Sequence, residues 1–309
     1  QSVKKMTEII TLRSGDLSLA IAPDIGGSIT HFYKENDAGK QHIMRPAQEK
    51  DIEAGYVLGM ACYPLDYSNR VVVPFSFRGE TVNLAPNLDG VRWPIHGRAW
   101  LKKWDVVKRT DNTLVIKYRH EAEKDGWPWA YEVVQDFTLF EVGLTHEISL
   151  INLSDRPQPC SLGVHPFFPS LDESGYDLGA KLTVDLKEIY ETDGDLIPTG
   201  VTHAVSARED FYSGRLIEQS RGLDDVFVGW KSKEAQISWE AYDFKLRINA
   251  DNACDHAVIF TPEGERFFCF EPVSATTNSI YDESKFSETG ARVLEPGELF
   301  RFKTVFTIT

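Results

Sequence analysis

Apolar and polar residues alternate in short segments along the whole chain, and this period of two is typical of β-strands that bury one face. Near the end of the chain, Phe300, Phe302, Phe306 and Ile308 fall on one side of such a segment, and most residues between them are basic or carry hydroxyls. Five other segments with the same alternation are 17–21, 113–118, 144–150, 236–240 and 244–248. Each of these six segments is predicted to be a strand.

Helices are not expected, because no window of about a dozen residues keeps apolar side chains at positions i, i+3, i+4 and i+7. Turn pairs such as Arg78-Gly79, Asp111-Asn112 and Pro296-Gly297 separate the predicted strands. Many strands at spacings of about ten residues, without intervening helices, predict stacked antiparallel sheets in a large sandwich or a jelly-roll-like arrangement. The fold class is therefore expected to be all-β.

We expect a single domain over residues 1–309, because no linker, charge block or repeat divides the chain. The segment from about 170 to 222 is the most polar and irregular part, and we interpret it as a long excursion from the sheets. Residues 1–5 precede Met6 and could be left over from cloning, so they carry no functional argument.

The charge balance argues against nucleic acids and anionic membranes as partners. The chain has 33 Lys and Arg residues against 47 Asp and Glu residues, which gives a formal net charge of −14. A protein that binds a polyanion uses clustered basic residues, and no basic run here exceeds two residues. No apolar stretch approaches the roughly 18 residues of a membrane span and the start shows no secretory signal pattern, so we expect a cytoplasmic protein.

The cysteines and histidines do not show the spacing of a disulfide scaffold or a metal site. Cys62, Cys160, Cys254 and Cys269 lie far apart without a CxxC pair, so we expect reduced, buried thiols. The two histidines closest along the chain are eleven positions apart, and no HExxH, G-x-S-x-G or phosphate-loop pattern occurs. No metal is therefore expected.

Two titratable residues lie inside apolar or aromatic runs, where a surface position fits poorly. His165 stands in Gly163-Val-His-Pro-Phe-Phe168, and Glu271 follows the aromatic run that begins at Phe267. Burial would raise the pKa of Glu271, and a carboxyl group of this kind suits acid or base catalysis near neutral pH. The alternatives are a histidine satisfied within the core and a carboxylate that reaches solvent at a strand end.

A third segment combines polar donors with aromatic residues, as a sugar-binding pocket requires. His96 and Arg98 lie between Trp93 and Trp100, and Gly97 permits close approach of another backbone. Weaker signals come from the pairs Asn69-Arg70 and Asp224-Asp225. The arginine could instead form a structural ion pair, and the two aspartates could form a turn.

Taken together and in order, these segments resemble the aldose 1-epimerase (mutarotase) family, whose members interconvert the α and β anomers of free sugars. The resemblance covers essentially the whole chain, and the order of the motifs is its specific part. The motifs are Gly26-Gly27, Asn69-Arg70, Ile95-His96-Gly97, His165-Pro-Phe-Phe168, Leu223-Asp-Asp-Val-Phe227 and Phe270-Glu271-Pro272. The resemblance implies a large antiparallel β-sandwich of the galactose mutarotase-like type, in agreement with the strand pattern.

The resemblance also implies catalytic roles. Glu271 matches the general base that takes the proton of the C1 hydroxyl, and His165 matches the acid that protonates the ring oxygen. His96 matches a second histidine near that oxygen, and no cofactor is implied. We expect nearby carboxylates to keep His165 protonated, so that its pKa and that of Glu271 match near pH 7.

The residues expected to bind the sugar are Asn69, Arg70, Asp224 and Arg98. Asp224 is preferred over Asp225 because it lies three residues before Phe227, as in the family pattern, and neighbours on a strand point to opposite faces. Arg98 could bind a phosphate, carboxylate or sulfonate on the sugar, or it could be solvated or ion-paired.

The leading hypothesis is a cofactor-independent mutarotase, monomeric or homodimeric, that acts on a small-molecule sugar, a free hexose or hexose derivative. Galactose is not assumed as the substrate. The galactose-type members of the family that this chain resembles carry an Asn-His-x-Tyr-Phe segment, whereas this chain has Val164-His165-Pro-Phe-Phe at that place. One alternative is a β-sandwich glycoside hydrolase or lyase, which needs a second carboxylate roughly 5–10 Å from Glu271. The other is a carbohydrate-binding or sugar-sensing protein, in which aromatic platforms suffice and an acid–base pair is unnecessary.

Overall fold

The computed structural model describes residues 6–309, and the interpretation of residues 1–5 falls outside this range. Strands account for most of its regular structure. In chain order they are β1 (Ile10–Ser14), β2 (Leu17–Ala22), β3 (Ser28–Asn36), β4 (Gly39–His42), β5 (Cys62–Asp66), β6 (Phe75–Phe77), β7 (Glu80–Val82), β8 (Asp105–Arg109), β9 (Thr113–His120), β10 (Tyr131–Phe140), β11 (Gly143–Asn152), β12 (Gln158–Cys160), β13 (Leu162–Pro169), β14 (Ala180–Val184), β15 (Glu188–Thr192), β16 (Pro198–Ala204), β17 (Arg215–Leu216), β18 (Leu223–Val228), β19 (Glu234–Trp239), β20 (Lys245–Ala250), β21 (His256–Thr261), β22 (Phe267–Val273), β23 (Arg292–Leu294) and β24 (Leu299–Ile308).

The helical segments are short. The α-helices of the described chain are α1 (Glu49–Ala54) and α2 (Phe286–Thr289), and single 3₁₀ turns occur at Val57–Gly59, Ala99–Leu101, Ile217–Gln219 and Glu283–Lys285. The sequence-based expectation of no helix was wrong for α1 and α2, because neither is long enough to repeat an apolar stripe. Across residues 6–309, no helix has the length and apolar character needed to cross a membrane.

Two large antiparallel sheets contain most of the strands. The larger sheet has the order β1-β2-β3-β5-β13-β22-β21-β18-β15-β16, with β4 paired to β3. The second sheet has the order β17-β14-β19-β20-β24-β11-β10-β9-β8, and β6–β7 and β12–β23 form two small ribbons. The predicted all-β antiparallel sandwich is confirmed.

The main hydrophobic core lies between the two large sheets. Phe302 and Phe306 of β24 are fully buried there, together with Leu19 of β2 and Phe32 of β3. All six segments predicted from alternation are strands, namely β2, β9, β11, β19, β20 and β24. The four cysteines are buried and unpaired, as predicted.

The larger sheet buries part of its other face as well. On β13, Val164 and Phe168 point into the main core, whereas His165 and Phe167 point to the opposite face. There Phe167 belongs to a smaller apolar cluster that also contains Tyr63 of β5. The titratable side chains of the candidate site lie on this second face.

The segment from 170 to 222 is part of both sheets, which corrects its interpretation as an excursion from them. β14 and β17 lie at one end of the second sheet, and β15 and β16 lie at one end of the larger sheet. Most residues of β16 are exposed. The polar composition of the segment therefore reflects edge strands with little buried surface.

Candidate active site

A cavity of about 490 Å³ lies on the second face of the larger sheet, and its volume is in the range of small-molecule sites. Its floor is a row of residues on five neighbouring strands: Tyr63, His165, Glu271, Val258 and Val226. The strand register sets this row, because the pairs Gly163–Val273 and Phe167–Cys269 place His165 opposite Glu271.

Glu271 and His165 form the central contact of the cavity. Glu271 Oε1 lies 3.2 Å from His165 Nε2, and the two side chains are only 3% and 7% exposed. Burial raises the pKa of Glu271 well above its ordinary value; the charge of Asp224 adds to this shift, and Arg70 opposes it. Burial also lowers the pKa of His165 to about 3. Burial therefore favours the uncharged form of both members of the pair, the protonated carboxyl group and the neutral imidazole.

The prediction that nearby carboxylates keep His165 protonated was wrong. The carboxyl group in contact with it, Glu271, is itself driven to the neutral form by burial. The positive charge of Arg45 further disfavours a proton on His165. Desolvation therefore outweighs the ion pair that the sequence suggested.

His96 lies beside this pair within a group of stacked rings. The ring centroids of His96 and His165 are 5.0 Å apart, and the Tyr63 ring lies 5.3 Å from the first and 4.7 Å from the second. Burial lowers the pKa of His96 well below its ordinary value, with the charges of His165 and Arg70 adding to the effect. A neutral imidazole has one N–H donor and one acceptor, so it can bind a hydroxyl or a ring oxygen of a sugar.

A tight turn places His96 in the cavity. His96 and Gly97 both have left-handed backbone conformations, with φ of 61° and 77°. The His96 amide donates a hydrogen bond of 2.6 Å to the Asn69 carbonyl. A Cβ atom at Gly97 would lie 2.0 Å from the carbonyl oxygen of Asp66, so the close approach expected at this glycine is present.

Two polar side chains, the buried Asp66 and the half-buried Asn87, hold this turn from behind. The Asp66 carboxylate accepts hydrogen bonds from the amides of the two residues after Gly97, at 2.8 and 3.0 Å, and from the Tyr131 hydroxyl. The Asn87 amide group donates to the carbonyls of Ile95 and Gly97 at 2.8 and 3.1 Å, and its oxygen accepts from the Ile95 amide. The backbone around His96 is therefore fixed on both sides.

Arg70, Asp224 and Asn69 line the same cavity. Burial raises the pKa of Asp224 to about 6, and the charge of Arg70 opposes this shift. Asn69 donates a hydrogen bond of 3.4 Å to Thr277, and its buried side-chain oxygen has no partner among residues 6–309. Asp225, the neighbour of Asp224 on β18, is not among the residues that line the cavity.

Arg98 does not line this cavity. Its guanidinium forms an ion pair with Glu123 and lines a separate pocket of about 340 Å³. The left-handed conformation of Gly97 turns the chain, so that His96 and Arg98 face different spaces. The geometry matches the ion-paired alternative for Arg98 and does not match a contact with a sugar beside Glu271.

Sequence reasoning missed several residues of the site. Tyr63 and Asp66 precede the Asn69-Arg70 motif by only a few positions, and their proximity to it could have indicated them. Asn87 and Arg45 carry no such signal, because neither lies next to a motif along the chain. Arg45 reaches the cavity only through the fold, where its guanidinium lies 4.0 Å from the Phe167 ring centroid.

Three residues of the floor could hold a metal ion. His165, Cys269 and Glu271 each offer one donor atom, and these atoms lie within 4.8 Å of one another. Nitrogen, sulfur and carboxylate donors are those preferred by zinc. Burial raises the pKa of the Cys269 thiol well above its ordinary value, which favours the protonated thiol over a metal-binding thiolate. That the site works without a metal stays a prediction.

Comparisons with known proteins agree with this fold. The family model described as aldose 1-epimerase matches residues 8–307. An uncharacterized Escherichia coli (strain K12) protein, YphB, is 31% identical over 314 residues, which cover 94% of this chain and 95% of that protein. A galactose mutarotase-like protein from Clostridium acetobutylicum superposes with a TM-score of 0.87 at 19% identity, over 100% of this chain and 97% of the other. A GalM/aldose epimerase homologue from C. elegans superposes with a TM-score of 0.81 at 18% identity, over 98% and 99% of the two chains.

Proposed function

Because the chain belongs to the aldose 1-epimerase family, we propose that it interconverts the α and β anomers of a free hexose or hexose derivative by acid–base ring opening. One observation carries this proposal: Glu271 and His165 lie 3.2 Å apart at the floor of the cavity, where burial favours the uncharged form of each. Ring opening needs one group that takes a proton and one that gives a proton. A pair with a single proton satisfies both needs.

The ring-opening step balances with these two groups alone. Glu271 takes the proton of the C1 hydroxyl while the C1–O1 bond becomes a carbonyl. The C1–O5 bond breaks, its electron pair stays on O5, and His165 gives its proton to O5. Rotation about C1–C2 presents the other face of the aldehyde, and the reverse steps close the ring as the other anomer.

Substrate binding must first place the shared proton on His165. Burial alone favours this proton on Glu271 rather than on His165. A C1 hydroxyl that donates a hydrogen bond to Glu271 stabilises the carboxylate, and the charge of Arg70 acts in the same direction. A ring oxygen that accepts from His165 stabilises the protonated imidazole in the same way.

The remaining lining residues fit the recognition of a sugar ring. Arg70 offers hydrogen-bond donors, Asp224 offers acceptors when ionised, and Asn69 offers its unpartnered oxygen. His96 lies next to His165, where it can contact the ring oxygen. The aromatic ring of Phe167 provides an apolar surface for C–H groups of the sugar.

A glycoside hydrolase is the second candidate, because Asp224 supplies a second carboxyl group in the cavity. Asp224 lies on β18, two strands away from Glu271 on β22 and two residues along the strand from Val226 in the same row, so the backbones of the two residues are roughly 12 Å apart. Both side chains face the cavity, which brings their carboxyl groups closer together, towards the range of inverting glycosidases. The presence of His165 in contact with Glu271 favours the epimerase, since an inverting hydrolase needs no such partner.

The test is the rate of anomer interconversion, followed by polarimetry or NMR exchange on freshly dissolved hexoses. Glu271→Gln and His165→Asn should each lower kcat by about 10²- to 10⁴-fold while the sugar still binds. Hydrolysis of aryl glycosides by the wild-type protein, with no mutarotation, would favour the hydrolase instead.

The chain contains a matched control pair for these variants. His203 Nε2 and Glu191 Oε2 are 2.9 Å apart on exposed strands, with side chains 58% and 51% exposed. His203→Asn and Glu191→Gln should leave the rate unchanged. Wild-type rates in both site variants would show that the catalytic assignment is wrong, and sugar binding without turnover by the wild-type protein would point to a sugar sensor.

A further inference from the structure

Arg45 supplies a positive charge to the cavity wall that no carboxylate of the described chain neutralises at ion-pair distance. It lines the cavity, and no Asp or Glu oxygen within residues 6–309 lies 4.0 Å or closer to its guanidinium. Arg78, Arg156 and Arg221 all have such partners, whereas Arg70, which lines the same cavity and faces Glu271 and Asp224, has none at this distance within residues 6–309. Burial lowers the pKa of this half-buried guanidinium, and the charges of Asp51 and Glu265, which lie beyond ion-pair distance, oppose that shift without removing it.

The fold holds this guanidinium in place with neutral groups. Arg45 Nη2 donates hydrogen bonds to the carbonyls of Leu58 and Met60, at 2.9 and 2.6 Å. The Arg45 Cζ atom lies 4.0 Å from the Phe167 ring centroid and 4.6 Å from that of Phe267. Within the described residues, Nε and Nη1 have no hydrogen-bond acceptor, so both remain available to a ligand.

The position of Arg45 relative to His165 indicates which part of a sugar it would meet. The Phe167 ring stacks on the His165 ring, with centroids 4.6 Å apart and planes 21° apart, and Arg45 lies against the same Phe167 ring. One aromatic ring therefore separates the guanidinium from the imidazole. In a hexopyranose, the ring oxygen that His165 protonates is bonded to C5, which carries C6. Arg45 also contacts Phe267, which lies on β22 with Glu271, so the orientation of C6 towards the guanidinium is part of what we infer.

We infer that Arg45 binds an anionic group on C6, and that the substrate is a hexose with a single negative charge there, a carboxylate or a sulfonate. This inference rests on the proposed mutarotase function and adds its substrate class. An ionised acceptor bound by a guanidinium makes stronger hydrogen bonds than a neutral hydroxyl does. Asp51 and Glu265 line the same cavity, so a phosphate dianion would meet more repulsion than a monoanion.

The experiment compares kcat/KM for anomer interconversion of glucose, glucuronate, 6-deoxy-6-sulfoglucose and glucose 6-phosphate. With the wild-type protein, a C6 monoanion should exceed both the neutral sugar and the phosphate by about tenfold or more. Arg45→Met should lower the monoanion-to-neutral ratio of kcat/KM by about 10- to 100-fold, mainly through KM. Arg45→Lys, which keeps the charge but loses the planar donor group, should give an intermediate ratio.

A second variant tests the same idea without disturbing the hydrogen bonds to Leu58 and Met60. Glu265 is exposed at the cavity, and Glu265→Gln removes a negative charge there. It should lower KM for the monoanions more than for glucose. Arg92→Met is the control, because Arg92 is exposed, pairs with Asp195 and does not line the cavity.

The outcomes separate this inference from the proposed function. A wild-type preference for the neutral sugar or for the phosphate would overturn the inference and leave the mutarotase assignment standing. An equal effect of Arg45→Met and Glu265→Gln on charged and neutral sugars would also overturn it. Turnover of none of the four sugars, and of none of the hexoses used to test the proposed function, would overturn that function and this inference with it.

Discussion

At the scale of single residues, Glu271 owes its chemistry to burial without a basic partner. Its only ion-pair contact within residues 6–309 is His165, which burial keeps neutral. An ionised carboxylate in such a place is poorly compensated, so the native state favours the acid form. The burial that makes Glu271 a usable base should therefore destabilise the native state once the pH is high enough to ionise Glu271.

Glu271→Gln should stabilise the protein while it lowers kcat. The pKa of Glu271 is raised in the native state, so between the ordinary value of 4.5 and the native pKa only the native state binds the proton. Wild-type stability therefore falls as the pH rises through this window, by up to about 1.4 kcal/mol per pH unit. The glutamine has no such dependence, and its amide can donate to the neutral His165 imidazole.

Urea denaturation of the two proteins at several pH values between about 5 and 8 measures this difference. The stability advantage of Glu271→Gln should grow with pH, and the exposed control Glu191→Gln should show no such growth. An advantage that stays constant with pH would mean that Glu271 is ionised in the native state already.

The two catalytic candidates show what local sequence can and cannot predict about a titratable group. The aromatic run before Glu271 correctly predicted burial and a raised pKa. The pKa of His165 was predicted in the wrong direction, because the balance between desolvation and charge depends on Arg45 and on strands distant in sequence. No pattern next to His165 contains that information.

At the scale of elements, the turn at His96 and Gly97 decides which side chains enter the cavity. The turn has no regular secondary structure and is fixed by Asp66 and Asn87, which come from other parts of the chain. Asp66 is not among the residues that line the cavity, so we regard it as a positioning residue that acts through the turn at His96. The catalytic geometry near His96 thus depends on backbone packing behind it.

Gly97→Ala should disrupt this arrangement more than a glycine-to-alanine change at an open turn. The new Cβ would lie 2.0 Å from the Asp66 carbonyl oxygen, whereas at Gly79, which also has a positive φ of 87°, it would meet no atom within 4 Å. Gly79→Ala should therefore cost only the backbone strain, about 1 kcal/mol. Gly97→Ala should cost more and lower kcat by about 10²-fold, since small displacements of catalytic groups have effects of this size.

Thermal unfolding and mutarotation rates of the two variants form the comparison. If Gly79→Ala and Gly97→Ala have equal effects on both quantities, backbone strain alone explains them and the packing against Asp66 is not important for His96.

Strands with a repeated alternation of apolar and polar residues were predictable from the sequence. Short helices and single turns, which show no repeat, were not. β24 shows alternation over its whole length and was identified from sequence, whereas α1 is too short to show a helical period. Arg98 follows His96 by two residues, and strand-like geometry would have placed both in one site. The left-handed turn at Gly97 breaks that relation, and sequence spacing cannot show where such a turn sends the next side chain.

At the scale of the whole molecule, the two sheets are joined by buried polar groups as well as by apolar packing. His146 of β11 is 1% exposed, and its Nε2 atom lies 2.8 Å from the Gln135 side-chain oxygen. Gln135 in turn donates to the Gly27 carbonyl at 2.9 Å, and Gly27 lies in the turn between β2 and β3 of the larger sheet. A Cβ atom at Gly26 would lie 1.9 Å from the Trp100 carbonyl oxygen, so this turn also packs behind the His96 segment.

The buried histidines should make this fold sensitive to acid. Burial lowers the pKa of His146 to about 3 and that of His42 and His256 to about 4, against an ordinary value of 6.5. Below pH 6.5 the unfolded chain binds protons that the native state does not bind, so stability falls as the pH falls towards these native values. Each such histidine contributes about 1.4 kcal/mol per pH unit over that range.

His146→Gln isolates one of these contributions, since its amide can still donate to Gln135 and does not titrate. Relative to the wild-type protein, the variant should gain about 2–3 kcal/mol between pH 6.5 and pH 4.5 in the free energy of unfolding measured with urea. His203→Gln is the matched control, because His203 lies on an exposed edge strand. Parallel pH dependence of His146→Gln and the wild-type protein would show that His146 does take up a proton in the native state, and that the polar link between the sheets is open to water.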